Sequence, residues 1–226
     1  VDRPSPPAAE SLRQHLEQLK ALRGPLARPP AALAAVKSWQ ARRLASTYAD
    51  LASQPRYADA TAFFLEDLYG AKDFSARDGE MLRIVPVMSR LLPASAVETA
   101  SLAIELEALT EALDQRLAAR LADVNLTAPE YARAYREGST RPERLRQVVL
   151  IEAVGERLDA LVRKPMVGTT LKLMRTPAHV AGLGDLQEFL ERGYGAFRRM
   201  GGAREFLQAL RAREIALLEE LFGGRG

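Results

Sequence analysis

The side chains able to carry chemistry are few and scattered. There are two histidines, His15 and His179, and no cysteine. The absence of cysteine excludes disulfides, thiolate nucleophiles, Fe–S clusters and cysteine zinc sites. Leu12 stands three residues before His15 and Thr176 three before His179, so the Glu-x-x-His pattern of carboxylate di-iron bundles is missing. No repeated Asp-rich box suits a Mg²⁺-bridged diphosphate, and we expect neither a metal nor another cofactor. His179, between Pro177 and Gly182, is the better ligand or proton carrier of the two histidines. His15 lies beside a leucine stripe and reads as a boundary residue.

Three glutamates interrupt apolar patterns. Glu98 and Glu105 project near the Leu102, Leu106 and Leu109 side of one segment, and Glu214 falls between Leu210 and Leu217. A carboxylate there is paired, solvated in a cavity or protonated. With 27 arginines in the chain, ion pairing is the plain expectation. The functional alternative is a polar pocket in which a carboxyl of raised pKa acts as acid or base. Its members would be Asp67, Tyr69, Glu98, Glu105, His179 and Glu214. Phosphate-cradling loops fare poorly, because Gly182-Leu183-Gly184 and Gly193-Tyr194-Gly195 lack a preceding strand and a downstream lysine. No Gly-x-Ser-x-Gly elbow is present, and we assign no catalytic residue.

The elements that must position these residues read as helices throughout. Residues 1–7 are Pro-rich and expected to form a flexible tail, with one helical domain over 8–226. Leu12, Leu16, Leu19 and Leu22 repeat at helical spacing until Gly24-Pro25, and Leu33, Val36, Leu44, Tyr48 and Leu51 follow Pro29-Pro30 as far as Ser53. A shorter helix is expected from Tyr57 to Tyr69, closed by Gly70, and another from Ser75 to Leu92, kinked at Pro86. The longest runs from Pro93 to about Asp123 and is apolar on two sides, the pattern of a helix around which others pack.

Thr127-Ala128-Pro129-Glu130 and Thr140-Arg141-Pro142-Glu143 each combine a threonine N-cap, a first-turn proline and a glutamate that reaches back, so each opens a helix. Residues 165–184, broken by Pro165, Gly168, Pro177, Gly182 and Gly184, read as short helices and turns. A helix capped by Asp185 follows. Gly193 and Gly195 inside it each cost about 1 kcal/mol relative to Ala, which a close helix crossing would offset. The last helix spans Ala203 to Phe222, and no segment alternates with period two. The fold class is all-α, a bundle of about eight to ten helices by this periodicity.

Composition fits an ordinary globular chain: 226 residues, 47% apolar, 27% charged and only 6% aromatic, so the core is aliphatic. A net charge of +3 gives little long-range field, and glutamates interleave the clusters Arg141, Arg144, Arg146 and Arg198, Arg199, Arg204, Arg211, Arg213. Those clusters read as solvated helix faces, and no nucleic-acid partner is expected. Five lysines against 27 arginines point to a GC-rich bacterial genome. The N-terminal residues lack the basic and apolar regions of a secretory signal, no stretch is long enough to span a membrane, and a cytoplasmic location is the expectation.

The run Phe63-Phe64-Leu65-Glu66-Asp67-Leu68-Tyr69 resembles the signature of the FFLEELY-motif proteins, an uncharacterised bacterial family, with Asp67 in place of the second glutamate. Gln187-Glu188-Phe189-Leu190-Glu191 and Arg213-Glu214 extend the resemblance across residues 55–226. It implies no activity, cofactor or catalytic residue. Read physically, the motif is packing: Tyr57, Thr61, Phe64 and Leu68 share a face, while Glu66 points away. The expected function is therefore non-catalytic: a binding or interaction protein that self-associates through an aliphatic helix face or holds an apolar small molecule between helices. The alternative is an enzyme that uses buried carboxylates with Tyr69 or His179.

Overall fold

The computed structural model describes residues 6–24, 30–68, 82, 85–86, 93–180 and 184–223. The helices are α1 (Pro6–Arg23), α2 (Ala31–Thr47), α3 (Ala49–Ala52), α4 (Ala58–Phe63), a π-helical segment (Phe64–Leu68), α5 (Ala94–Ala118), α6 (Ala128–Gly138), α7 (Arg141–Val162), α8 (Pro165–Val180), α9 (Gly184–Met200) and α10 (Arg204–Gly223). No strand occurs among the described residues, and the chain is an all-α helical bundle. Of the helix expected between Ser75 and Leu92, only Leu82, Val85 and Pro86 are described, and all three are helical.

The two-sided pattern of α5 has the consequence its sequence implies. This one helix reaches three apolar clusters. Leu106 joins Tyr48, Phe63, Phe64, Leu150, Ile151, Phe197 and Phe206. Val97, Ile104 and Ala108 join Leu12, Leu16 and Leu19 of α1. Leu117 joins Leu33, Val36, Tyr131 and Tyr135. Helices α1, α2, α6 and α7 pack directly on α5. Ion pairs fasten the α1 and α2 side: Arg23 Nη2 lies 2.5 Å from Glu107, and Lys37 Nζ lies 2.7 Å from the buried Glu111.

Both capping boxes form. The Thr127 amide donates to Glu130 Oε2 at 3.0 Å, and the Thr140 amide donates to Glu143 Oε2 at 2.8 Å. Gly193 marks the expected close crossing, since a Cβ there would lie 2.8 Å from the Phe63 ring. Phe63 and Phe64 are buried and Glu66 is exposed, pairing with Arg192 at 2.9 Å.

Four local expectations need correction. The helix predicted to run to Ser53 breaks at Tyr48, whose φ of −110° and ψ of 15° leave the helical region while its hydroxyl donates to Glu214. The helix predicted from Tyr57 to Tyr69 changes at Phe64 into a π segment, which shifts the following side chains relative to an α-helical wheel. The long helix ends at Ala118, not Asp123; the Asn125 amide donates to Asp123 Oδ1 at 3.1 Å in a turn instead. Residues 165–180 form one helix, not short pieces. Pro177 falls in its last turn, where the single backbone bond it cannot donate leaves the preceding turns intact, and Gly168 leaves room for the Tyr194 hydroxyl of α9. The two helices are further tied by Gln187 Nε2 donating to the Leu171 carbonyl at 2.7 Å and by Arg175 pairing with Glu191.

Candidate functional site

The acids singled out by sequence do not converge. Glu98 is exposed and pairs with Arg157 at 2.9 Å; Glu105 pairs with Arg146 at 2.7 Å. Both bridges tie α5 to α7 at the surface. His179 is exposed on the last turn of α8. Tyr69 and the Asp67 side chain lie outside the described residues. His15 is half-buried, with Nδ1 3.1 Å from the Ser101 carbonyl, as a boundary residue should be. Glu214 behaves differently, because it lines an interior cavity of about 60 Å³.

Seven elements build that cavity: Gln40, Arg43 and Leu44 from α2, Thr61 from α4, Phe64 and Leu65 from the π segment, Thr110 from α5, Tyr131 and Tyr135 from α6, Arg144, Gln147 and Ile151 from α7, with Glu214 from α10. It also touches Tyr48, the residue that breaks α2 from α3. Most of the wall is aliphatic or aromatic, with a small set of converging polar groups, the usual composition of a small-molecule site.

Arg144 is fixed more tightly than an ordinary arginine in the first turn of a helix. Only 3% of it is exposed. Its Nε donates to Ser139 Oγ at 3.1 Å and its Nη1 to Gln147 Oε1 at 3.2 Å. Gln147 in turn donates to Thr110 Oγ1 at 2.7 Å, and the guanidinium lies 4.1 Å over the Tyr135 ring. No carboxylate among the described residues forms an ion pair with it, and its Nη2 is shielded from solvent without a partner. Two more cavity-lining residues share this condition: Arg43, whose Nε is unpartnered, and the buried Thr61, whose hydroxyl is unpartnered. A buried donor without an acceptor costs about 1–3 kcal/mol, and more when the group is charged.

The surrounding charges are partly compensated. Arg43 Nη1 and the Tyr48 hydroxyl donate to the same Glu214 oxygen, at 2.5 and 2.6 Å. Behind the wall, Gln40 Nε2 donates to Asp114 Oδ1 at 2.9 Å and to the Tyr131 oxygen at 3.3 Å. Burial pushes the Asp114 carboxyl up to about 6, against the Gln40 hydrogen bond and the positive charges of Arg144 and Lys37. Burial likewise raises Tyr131 and Tyr135, so both remain neutral phenols at physiological pH. Trp39 stacks on Tyr131 with ring centroids 3.6 Å apart and holds that ring in place. Among the described residues no group of three or more His, Asp and Glu is placed to hold a metal ion.

Sequence reasoning did not find Arg144, Arg43, Thr61, Gln40 or Asp114. Arg144 sat inside a cluster read as a solvated face. The missed signal was register: Arg144, Val148 and Ile151 fall on one stripe of α7, and Asp114 falls beside Leu113 and Leu117 on α5.

Comparison with known proteins adds the family. The model of a family described as a domain of unknown function, DUF8198, matches residues 25–226. The chain belongs to that family. No curated protein and no solved structure matches it. Every helix that lines the cavity lies within the DUF8198 span, whereas α1 precedes it. The residues that line the cavity thus lie within the matched span of this chain, whereas α1 packs on another face of α5.

Proposed function

We propose that this DUF8198 chain is a non-catalytic small-molecule-binding protein whose ligand occupies the cavity between α2, α4, α6, α7 and α10. The observation that carries this reading is that three residues lining one cavity, Arg43, Thr61 and Arg144, each keep a buried, unpartnered donor. Folded proteins rarely leave such groups unsatisfied, and a bound molecule supplies the missing acceptors. The π segment beside the cavity supports the same reading, because π turns are rare and recur at functional sites. Catalysis is the less favoured alternative: the one carboxylate among the described residues lining the cavity, Glu214, is already committed to Arg43 and Tyr48.

The resemblance of Phe63–Tyr69 to the FFLEELY signature belongs to this proposal as a packing device, since Phe64 and Leu65 form part of the cavity wall. Self-association through an apolar helix face finds less support. Met166, Leu173 and Val180 stay exposed on α8, seven residues apart, but they form only a narrow row of single side chains beside the exposed Lys172 and Arg175. No helix among the described residues is long and apolar enough to cross a membrane, and we propose a cytoplasmic location.

Native mass spectrometry of the purified full chain tests the reading. A bound small molecule is expected in the wild type, and a cavity-filling Val148→Phe variant with an unchanged circular dichroism spectrum should lose it. A wild-type protein that carries nothing and responds to no member of a small-molecule panel would overturn the proposal.

A further inference from the structure

We propose that the ligand is a short aliphatic carboxylate, held by Arg144 Nη2 with Arg43 Nε and the Thr61 hydroxyl as neighbouring donors. This assignment rests on the small-molecule-binding reading above and names its ligand class.

The chemistry of the missing partner follows from what is left unpaired. Guanidinium groups only donate, so Arg144 Nη2 and Arg43 Nε each lack an acceptor. The threonine hydroxyl can donate as well. Two donor-only nitrogens and one hydroxyl that can donate beside them select an oxygen-rich group over an amine.

Charge narrows the choice further. Other shielded cations in this bundle have a carboxylate beside them: Arg23 has Glu107, Lys37 has Glu111 and Arg43 has Glu214. Arg144 has none among the described residues. Ser139, Gln147 and the Tyr135 ring hold it through neutral contacts that fix its orientation without compensating its charge. Asp114 lies within its field, but a hydrogen bond engages it with Gln40. The chain has in effect oriented one guanidinium edge and left its counter-ion to be supplied from outside. Charge-assisted N–H···O⁻ bonds are about twice as strong as neutral ones, so an anion gains most at this position.

Size and wall chemistry give the rest of the molecule. A volume of about 60 Å³ is about that of two waters in the liquid, well below the roughly 150 Å³ cavity that accepts a benzene ring. Aromatic acids, nucleotides and longer fatty acids are too large, and an acid the size of acetate is the match. The apolar wall around the donors, which includes Leu44, Leu65, Val148 and Ile151, fits a short alkyl stem better than the hydrated oxygens of phosphate.

The test uses isothermal titration of the full chain at pH 7 with acetate, its neutral isostere acetamide, and inorganic phosphate. Acetate is expected to bind at least tenfold more tightly than either comparison compound. Arg144→Met should abolish acetate binding. Because that variant leaves several partners unsatisfied and can fail to fold, Thr61→Val serves as the second variant. It removes an unpartnered hydroxyl at nearly constant shape, so it should raise the melting temperature of the free protein and weaken acetate severalfold. Equal binding of acetate and acetamide would overturn the carboxylate assignment while leaving the cavity reading intact. Preference for phosphate, or acetate binding untouched by Thr61→Val, would also overturn the assignment. If none of the three probes binds the wild type, the carboxylate assignment fails, and the native mass spectrum then decides the cavity reading separately.

Discussion

Arg43 and Tyr48 donate to the same carboxylate oxygen of Glu214, at 2.5 and 2.6 Å. The arrangement joins α2, the break before α3, and α10 at a single atom. On the outer side of the same junction Arg213 grips Asp50 through two bonds of 2.7 Å and lies 5.6 Å over the Tyr48 ring.

Removing that shared acceptor should be costly. Glu214→Ala leaves a largely buried guanidinium and a buried phenol without their acceptor, and a loss of about 3 kcal/mol is expected, in the range for breaking a buried pair from one side. Tyr48→Phe, which keeps the ion pair, should cost only about 1 kcal/mol. Urea denaturation of both variants checks the ranking; equal losses would show that the Arg43–Glu214 pair contributes nothing.

Asp114 gives the protein an acid-side stability maximum. Its carboxyl titrates at about 6 in the folded chain against an ordinary 3.8. Between those values the folded state holds the proton more tightly than the unfolded chain does. Stability is therefore highest near pH 4 and falls as pH rises through about 6, by about 3 kcal/mol, before levelling. Asp50 and Glu143 act in the opposite sense: the hydrogen bond from Arg213 and that from Arg116 hold them down to about 2, so their contribution is lost only in more acidic solution. Denaturant midpoints measured from pH 4 to 8 should show the decline, and Asp114→Asn should flatten it.

Gly193→Ala should force the Phe63 ring away from α9, because the new Cβ would sit 2.8 Å from it. A destabilisation of about 2 kcal/mol is expected from overpacking at this crossing. Phe63→Leu in the same chain should restore part of it. A double-mutant cycle by thermal melting measures the coupling, and strict additivity would mean that the two residues do not touch.

Glu98→Gln and Glu105→Gln test the surface bridges. Both pairs are solvent-accessible, with Arg157 and Arg146 as partners, and each substitution should change stability by less than about 1 kcal/mol. Acetate titration should be unaltered. A loss of binding in either variant would return these acids to the site.

How much of this was legible beforehand depended on how local each cause was. Thr127 with Glu130 and Thr140 with Glu143 announce their helices because donor, acceptor and proline lie within four residues. The central position of α5 was legible as well, since apolar residues on two sides leave a helix no other place. Helix α8 was not, because what admits Gly168 is the hydroxyl of Tyr194, distant in sequence and invisible to periodicity. The cavity was hidden for the same reason. Arg144 carries no local mark that separates it from Arg141 or Arg146 except its register with Val148 and Ile151. Its lack of an ion-pair partner is a property of the folded surroundings, not of any window of sequence. Glu214 was found, since one charge between Leu210 and Leu217 is a visible interruption.

The shielding of Arg144 Nη2, Arg43 Nε and Thr61 Oγ1 from water has a kinetic corollary. Nothing can dock onto atoms that the medium does not reach until neighbouring turns part, so capture and escape both wait on the breathing of the bundle. Association should then run far below the diffusion limit, and a captured molecule should linger long enough to survive chromatography.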